Sequence, residues 1–375
     1  MQLARGLLLG AGMTATALAS AQGRTLLSLS VPAEIEYDSN PNLAVGPSAA
    51  TTWLRTIPSL TAGYFPGNEE FRLEAALTAE KSSNQQAAKD RLDPRLRAAW
   101  KHVGPRDTTE VAALLDRRAL RAVGLREQVP LGVDGARTLF AVSGSWLHDL
   151  DARTVVGADL RQEWERFSDT STPDFRHTLA EVRLTRQQDA RRSWYGVLDG
   201  RSYDPDSASE SQPGTAAQTR SRAFGGRVGV NYWFSEALRV DANVGPLHFS
   251  SPSSTNDWQG ALKMEYTAER WVAALDLSRA PGVNSTFGGV VLTEEARLRL
   301  HYELDALSRI ELDAGHAREK AARSKRSVAS AAWLWQWRPS WQVAVRASTQ
   351  RQEGPEGTAR SNRFAVSLVY TAEDL

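Results

Sequence analysis

The side chains that could do chemistry in this chain are ionisable groups set two residues apart. Arg72 and Glu74, then Asp159, Arg161 and Glu163, then Arg239 and Asp241, then Arg297 and Arg299 follow that spacing. Single charges at Arg55, Arg97, Arg183, Arg227, Glu265, Asp313 and Arg346 fall on the same lanes of their own segments. On an extended strand, residues two apart share a face. A buried unpaired ion costs several kcal/mol, so a face this charged has to meet water or close into ion pairs. Most of these groups are therefore expected to brace a wetted wall as ion-pair ladders. Both signs occur in similar numbers, which predicts a polar interior without strong single-sign selectivity. It also departs from the basic lining expected of a conduit for a densely anionic polymer.

Catalytic and cofactor chemistry is not legible. The six histidines, His102, His148, His177, His248, His301 and His316, form no His-x-x-x-His or His-Glu-x-x-His pair. There is no Gly-x-Ser-x-Gly elbow, and Gly225-Gly226 and Gly288-Gly289 lack the Lys-Ser/Thr of a phosphate loop. No catalytic residue, cofactor or metal is expected. A Ser/His/acid site gathered from distant strands leaves no motif, so a lipid-modifying enzyme of the outer membrane stands as the weakest alternative.

The elements that hold the charged lanes alternate with period two. In Leu27 to Asp38 the odd positions are Leu, Leu, Val, Ala, Ile and Tyr, and the even ones are Ser, Ser, Pro, Glu, Glu and Asp. Phe71 to Glu80, Leu238 to Val244, Trp258 to Tyr266 and Ala296 to Tyr302 repeat the pattern. Similar segments cover 52–64, 94–102, 109–116, 137–148, 153–165, 176–185, 192–203, 222–233, 271–279, 308–316, 328–337, 341–350 and 361–370. Eighteen segments result, expected as strands of about ten residues. Short turns near 65–70, 103–108, 149–152, 186–191, 234–237, 268–270, 303–307 and 338–340 alternate with longer Gly/Ser/Pro/Asn-rich loops near 39–51, 81–93, 117–136, 167–175, 204–221, 250–256, 280–291, 317–327 and 351–360.

That alternation is the signature of an all-β, antiparallel, up-and-down transmembrane barrel of about 18 strands, with short periplasmic turns and long extracellular loops. An even count returns both termini to the periplasm. Aromatics on the apolar face crowd the strand ends that border the short turns: Tyr64, Trp100, Trp146, Trp194, Tyr232, Tyr266, Trp271, Tyr302, Trp337, Trp341 and Tyr370. Tyr37, Trp164 and Trp258 border the long loops. Two belts suit a lipid-facing surface, because indole and phenol rings settle at headgroup level. A soluble sandwich or propeller would show no such order.

Composition agrees. Lys+Arg 45 against Asp+Glu 44 argues against a nucleic-acid partner, and the absence of cysteine removes disulfides, thiolate metal sites and cysteine nucleophiles. Residues 1–21 read as an export signal, with Arg5, an apolar stretch from Gly6 to Leu18, and Ala19-Ser20-Ala21 before Gln22. Residues 22–375 then form a single barrel domain of a Gram-negative outer membrane, in contact with its lipid and lipopolysaccharide. The first strand starts so soon after the signal that neither a plug nor a helical-repeat scaffold is expected before it.

Several short motifs resemble a known family. The strand exit Tyr37-Asp38-Ser39-Asn40-Pro41, the Asp116-Arg117-Arg118 segment with its basic loop, the hairpin Ser145-Trp146-Leu147-His148-Asp149-Leu150 and the stretch Ser278-Arg279 through Asn284-Ser285-Thr286-Phe287-Gly288-Gly289 are similar to the porins encoded with exopolysaccharide operons, the EpsL-like proteins. The resemblance implies a pore that holds a polysaccharide in its lumen and exports it beside a periplasmic polysaccharide-export protein. A general diffusion porin for small solutes is the alternative. Three local expectations remain. Asp38, Asn40 and Asn42 are read as turn makers rather than cation ligands. The loop 117–136 either folds inward or stands outside. Thr371 to Leu375 are read as a tail beyond the final strand, which departs from the usual aromatic end.

Overall fold

The computed structural model describes residues 23–122, 134–168, 172–206, 220–250, 254–284, 289–319, 323–355 and 357–373. The expected signal segment lies outside them. Nineteen strand elements follow in chain order. They are β1 (Arg24–Asp38), β2 (Thr51–Thr56), β3 (Ser59–Phe65), β4 (Glu69–Ser82), β5 (Arg91–Val103), β6 (Asp107–Ala119), β7 (Ala136–Asp151), β8 (Thr154–Phe167), β9 (Phe175–Gln187) and β10 (Arg192–Pro205). Next come β11 (Ser221–Trp233), β12 (Leu238–Ser250), β13 (Ser254–Thr267), β14 (Trp271–Asn284), β15 (Gly289–Glu303), β16 (Ser308–Glu319), β17 (Ser324–Arg338), β18 (Trp341–Gly354) and β19 (Gly357–Glu373). Apart from β2 and β3, which share the same two partners, every strand pairs antiparallel with its sequence neighbours, and β1 pairs with β19, which closes the sheet into a barrel.

Two of the nineteen are halves of one strand. β2 and β3 lie between the same neighbours, β1 and β4, in one continuous register. By that register Ile57 stands opposite Pro32 and Pro58 opposite Val31. Neither proline has an N–H to donate, so the ladder lapses there. The Thr56 hydroxyl donates to the Pro32 carbonyl at 2.7 Å in place of a backbone amide. The wall thus has eighteen passes, as the periodicity predicts.

The strands are longer than the ten residues expected. From β4 onward they run from 12 residues in β16 to 17 in β19. At about 3.3 Å per residue they overreach an apolar band roughly 25 Å tall even when tilted. The excess lies on the long-loop side, where stretches read as loops, such as 317–327 and 351–360, are largely strand. The supposed C-terminal tail is likewise strand through Glu373, with Ser30↔Thr371, Leu29↔Ala372 and Ser28↔Glu373 in register.

Short turns are set by local side-chain chemistry. Asp189 accepts from the Arg191 and Arg192 amides at 2.8 and 2.9 Å, and Asp305 from those of Leu307 and Ser308 at 2.7 and 2.8 Å. Gly67 supplies the positive φ of +60° after Pro66. At the opposite end, Asp38 Oδ1 accepts from the Asn40 amide at 2.9 Å, and Asn40 exchanges hydrogen bonds with Ala44. Asp38 and Asn40 therefore act as turn makers.

Candidate pore lining and its narrowing

Contacts that skip strands identify the concave face, since only there can side chains meet across intervening neighbours. Tyr195 Oη of β10 donates to Asp241 of β12 at 2.6 Å, Gln259 of β13 reaches Asp199 of β10 at 3.0 Å, and Arg227 of β11 reaches Glu181 of β9 at 2.8 Å. Extending this parity through the registers puts all the charged residues singled out above on the concave face. The aromatics bordering the short turns fall on the convex face by the same parity. Several touch or bond their neighbours there. Trp271 and Tyr302 have centroids 4.3 Å apart, Trp341 and Tyr370 4.9 Å, and Tyr64 and Phe71 6.3 Å. The indoles of Trp100 and Trp194 donate to Glu69 and Gln188 at 2.5 and 2.8 Å.

From β1 to β9 the concave charges are knitted together. Arg55 reaches Glu34 at 2.7 Å, Glu36 at 3.3 Å and Glu80 at 2.6 Å. Arg97 lies between Glu74 at 3.5 Å and Glu110 at 3.3 Å. Glu163 takes Arg161 at 2.6 Å and His177 at 3.1 Å, and Arg72 holds Glu70 at 2.7 Å. Arg363 meets buried Asp38 at 2.9 Å. The short 3-10 turn Leu120–Ala122 brings the first residues after β6 inward: Arg121 bonds Glu80 and stacks 4.0 Å over the Trp53 ring, which is fully buried. The start of the long loop therefore folds into the lumen; residues 123–133 lie outside the described residues. Trp53, Glu34, Glu36 and Glu80 were not singled out beforehand. Trp53 shares the parity of Arg55, and that was the available signal.

The wall from β9 to β15 is different. A cavity of about 620 Å³ opens onto it, lined by the cations Arg183, Arg201, Arg227, Arg239, Lys263, Arg279 and Arg299 and the carboxylates Glu181, Asp241, Glu265 and Asp276. Arg227 spends its charge on Glu181 and Asp199, and Arg299 on Asp276 at 2.5 Å. Asp241 is bonded by Tyr195, whose ring carries the Arg183 guanidinium at 4.1 Å. Arg239 leans on the Trp233 ring at 5.4 Å. Among the described residues Arg183, Arg239, Lys263 and Arg346 make no ion pair, nor do Asp159 and Glu265. Arg297 is paired with Asp313 at 2.8 Å. Counted with the partners Asp199, Asp257 and Glu294, the carboxylates here equal the cations at seven each, so the two signs balance in this sector as they do around the circumference. What is uneven is the pairing: among the described residues Arg183, Arg239 and Lys263 stand without an ion pair against Asp241 and Glu265.

The β14–β15 hairpin narrows the mouth above that sector. Arg201 of β10 donates to the Pro281 carbonyl of β14, and the Val290 amide of β15 donates to Ser221 Oγ of β11 at 2.8 Å. These bonds reach over three intervening strands, so the described ends of β14 and β15 lean into the barrel. On the same concave face Tyr203, Ala223, Leu247 and Thr293 are buried. Glycine permits the crowding: a Cβ on Gly245 would lie 1.8 Å from the Gly226 carbonyl oxygen, and one on Gly229 would lie 2.4 Å from the Tyr195 ring.

No nucleophile site assembles among the described residues. His316 Nδ1 meets Ser327 Oγ at 2.9 Å on the convex face, yet no carboxylate is bonded to that imidazole among the described residues. The pair lacks the orienting third group of a hydrolytic triad.

No protein-family model matches the chain and no curated protein matches it. Solved structures do. The Acinetobacter baumannii protein OccAB4 matches with TM-score 0.52 and 8% identity over 94% of this chain and 99% of that one. A mutant of the ferric enterobactin receptor PfeA of Pseudomonas aeruginosa matches with 0.53 and 10%, over 94% and 81%. Pseudomonas aeruginosa OpdK, solved with vanillate, matches with 0.50 and 12%, over 93% and 98%. These neighbours are outer-membrane channels and a receptor rather than enzymes, and at such identities the likeness is one of fold. The chain is an eighteen-pass antiparallel β-barrel with the fold seen in outer-membrane porin structures.

Proposed function

We propose that the barrel is a water-filled diffusion pore for small solutes, with a preference for anions. The observation that carries this reading is the set of cations without an ion pair among the described residues, Arg183, Arg239 and Lys263 against the carboxylates Asp241 and Glu265, placed beneath the inward hairpin and facing a wall whose charges are mostly closed into pairs. A fixed narrowing with charge on one side is the arrangement of a solute eyelet. The concave charges named above line this path, the convex aromatics anchor the barrel at headgroup level, and lipid and lipopolysaccharide surround it. Reversal potentials across a planar bilayer in a KCl gradient test the reading. Chloride-directed potentials that weaken in Arg239→Gln and Lys263→Gln support it. Potassium-directed potentials overturn it.

Export of an exopolysaccharide with a periplasmic partner is a second reading, supported by the strand-exit and loop motifs. It predicts a silent or flickering channel that polysaccharide from the producing cell blocks. A steady conductance indifferent to the polymer would remove it.

A further inference from the structure

β13 and β14 separate within the wall. Their ladder runs from Thr267↔Val272 to Gly260↔Arg279 and stops. Beyond it β13 pairs with β12 as far as Ser254, and β14 with β15 as far as Asn284. Elsewhere the lapses are shorter: the β5–β6 ladder ends at Arg95↔Asp116, and β11–β12 skips Gly226 and Arg227. Seven residue steps of about 3.3 Å, tilted by roughly 40°, rise about 18 Å from the short-turn belt. An apolar band is roughly 25 Å tall, so the fork begins inside the outer half of the membrane. Strand edges open to lipid do not persist there unless protein or water satisfies them.

Arg279 sits in the crotch of the fork. Its Nε donates to the Trp258 carbonyl at 3.2 Å, Nη2 reaches Asp257 at 2.6 Å, Nη1 bonds Glu294, and the guanidinium lies 4.6 Å from the Trp258 ring centre. A groove of about 550 Å³ opens beside it, with Trp258, Leu262 and Leu277 as its apolar part and His316 and Arg318 as its polar end. This groove shares Gly260, Ala261, Ser278 and Arg279 with the lumenal cavity. By strand parity Leu262 and Leu277 face lipid, whereas Ala261 and Ser278 face the lumen.

We infer that the fork is a lateral port that seats an amphiphile of the surrounding leaflet. Its acyl chain lies along Trp258, Leu262 and Leu277, and its anionic head reaches Arg318 and the water behind Arg279. Arg279 is the latch between the outer groove and the lumen. The occupant is a membrane lipid because the groove faces hydrocarbon at outer-belt depth. The port adds a sideways route to the axial path and does not depend on which solute uses that path.

The test reconstitutes the full chain in nanodiscs containing phosphatidylglycerol with a diazirine in its acyl chain, followed by peptide mapping of the adducts. Adducts on Leu262 and Leu277 are expected together with adducts on Ala261 or Ser278, at least 5-fold above those on lumen-facing Ala332 and Ala344 of the intact β17–β18 seam. Arg279→Ala should raise the lumen-facing adducts several-fold, and phosphatidylcholine carrying the same probe should give fewer. Adducts confined to outward residues in the native protein overturn the port, whether or not Arg279→Ala folds. The reversal potential is read separately, so failure of the anion preference and failure of the port are distinguishable.

Discussion

Replacing Glu80 by Gln should free the start of the long loop. Arg121 and Glu80 are both nearly inaccessible, with side-chain exposures of 5% and 6%, and Arg121 Nη1 already has no hydrogen-bond partner. Arg55 keeps Glu34 and Glu36 after the change, so the loss falls on Arg121. A charge-assisted hydrogen bond of this kind is worth about 1.5–3 kcal/mol. At 1.4 kcal/mol per decade, the population with Arg121 released should rise about 10- to 100-fold. Limited trypsin digestion of the folded barrel reads this population when opening is fast relative to cleavage. Cutting after Arg121 should accelerate by that factor in Glu80→Gln, and by a smaller one in Trp53→Leu, which removes a stacking surface worth about 1–2 kcal/mol. Glu36→Gln, which leaves Arg121 untouched, should cut at the native rate. Native-rate cleavage in an intact Glu80→Gln barrel would refute the inward anchoring.

Three further outcomes are expected. Leu298→Arg, on the convex face and half exposed, should cost about 2–4 kcal/mol if near mid-bilayer, whereas Arg299→Leu loses only an exposed pair worth about 1 kcal/mol or less; heat-modifiable electrophoretic mobility separates them, and equal damage would contradict the facing. Gly245→Ala should cost about 1–3 kcal/mol or more by the same measurement, because the added carbon meets backbone, while Gly196→Ala, with open space around it, should be silent. Amide and hydroxyl hydrogen bonds hold the Asp305 carboxyl below its ordinary range. Its contribution to the turn is therefore present above about pH 4 and lost as pH falls through the lower folded value; Asp305→Asn should narrow, by this residue's share, the difference in unfolding midpoint between pH 5 and pH 2.5.

The eighteen passes and the two faces were legible because each strand carries its own period of two, and burial on one side repeats that signal along the chain. Thr56, Ile57 and Pro58 also announce their interruption locally. What lay beyond reach depends on partners far away in sequence. Strand parity says that Arg279 shares a face with Leu277, but not that β13 leaves β14 at that residue. Arg201 reads as one more lane charge until Pro281 is brought to it by a bend four strands away. Uneven pairing follows for the same reason: counting along the chain averages over a circumference, whereas a solute meets one sector at a time. Strand length was underestimated because polar alternation above the membrane looks like loop.

The proline pair near the start of the wall has a mechanical meaning. A sheet resists shear through its cross-links, and Pro32 withholds an amide from the seam between β1 and the β2–β3 strand, where the Thr56 hydroxyl stands in, while Pro58, whose carbonyl accepts from the Leu77 amide at 3.1 Å, withholds one from the seam with β4. Tension applied at the N-terminus should make the first peeling step pass Pro32 under little load, held there only by the Thr56 hydroxyl. Restoring an amide with Pro32→Val should raise the force of that step in single-molecule extraction, whereas Pro58→Val, whose amide would face β4, should leave it unchanged.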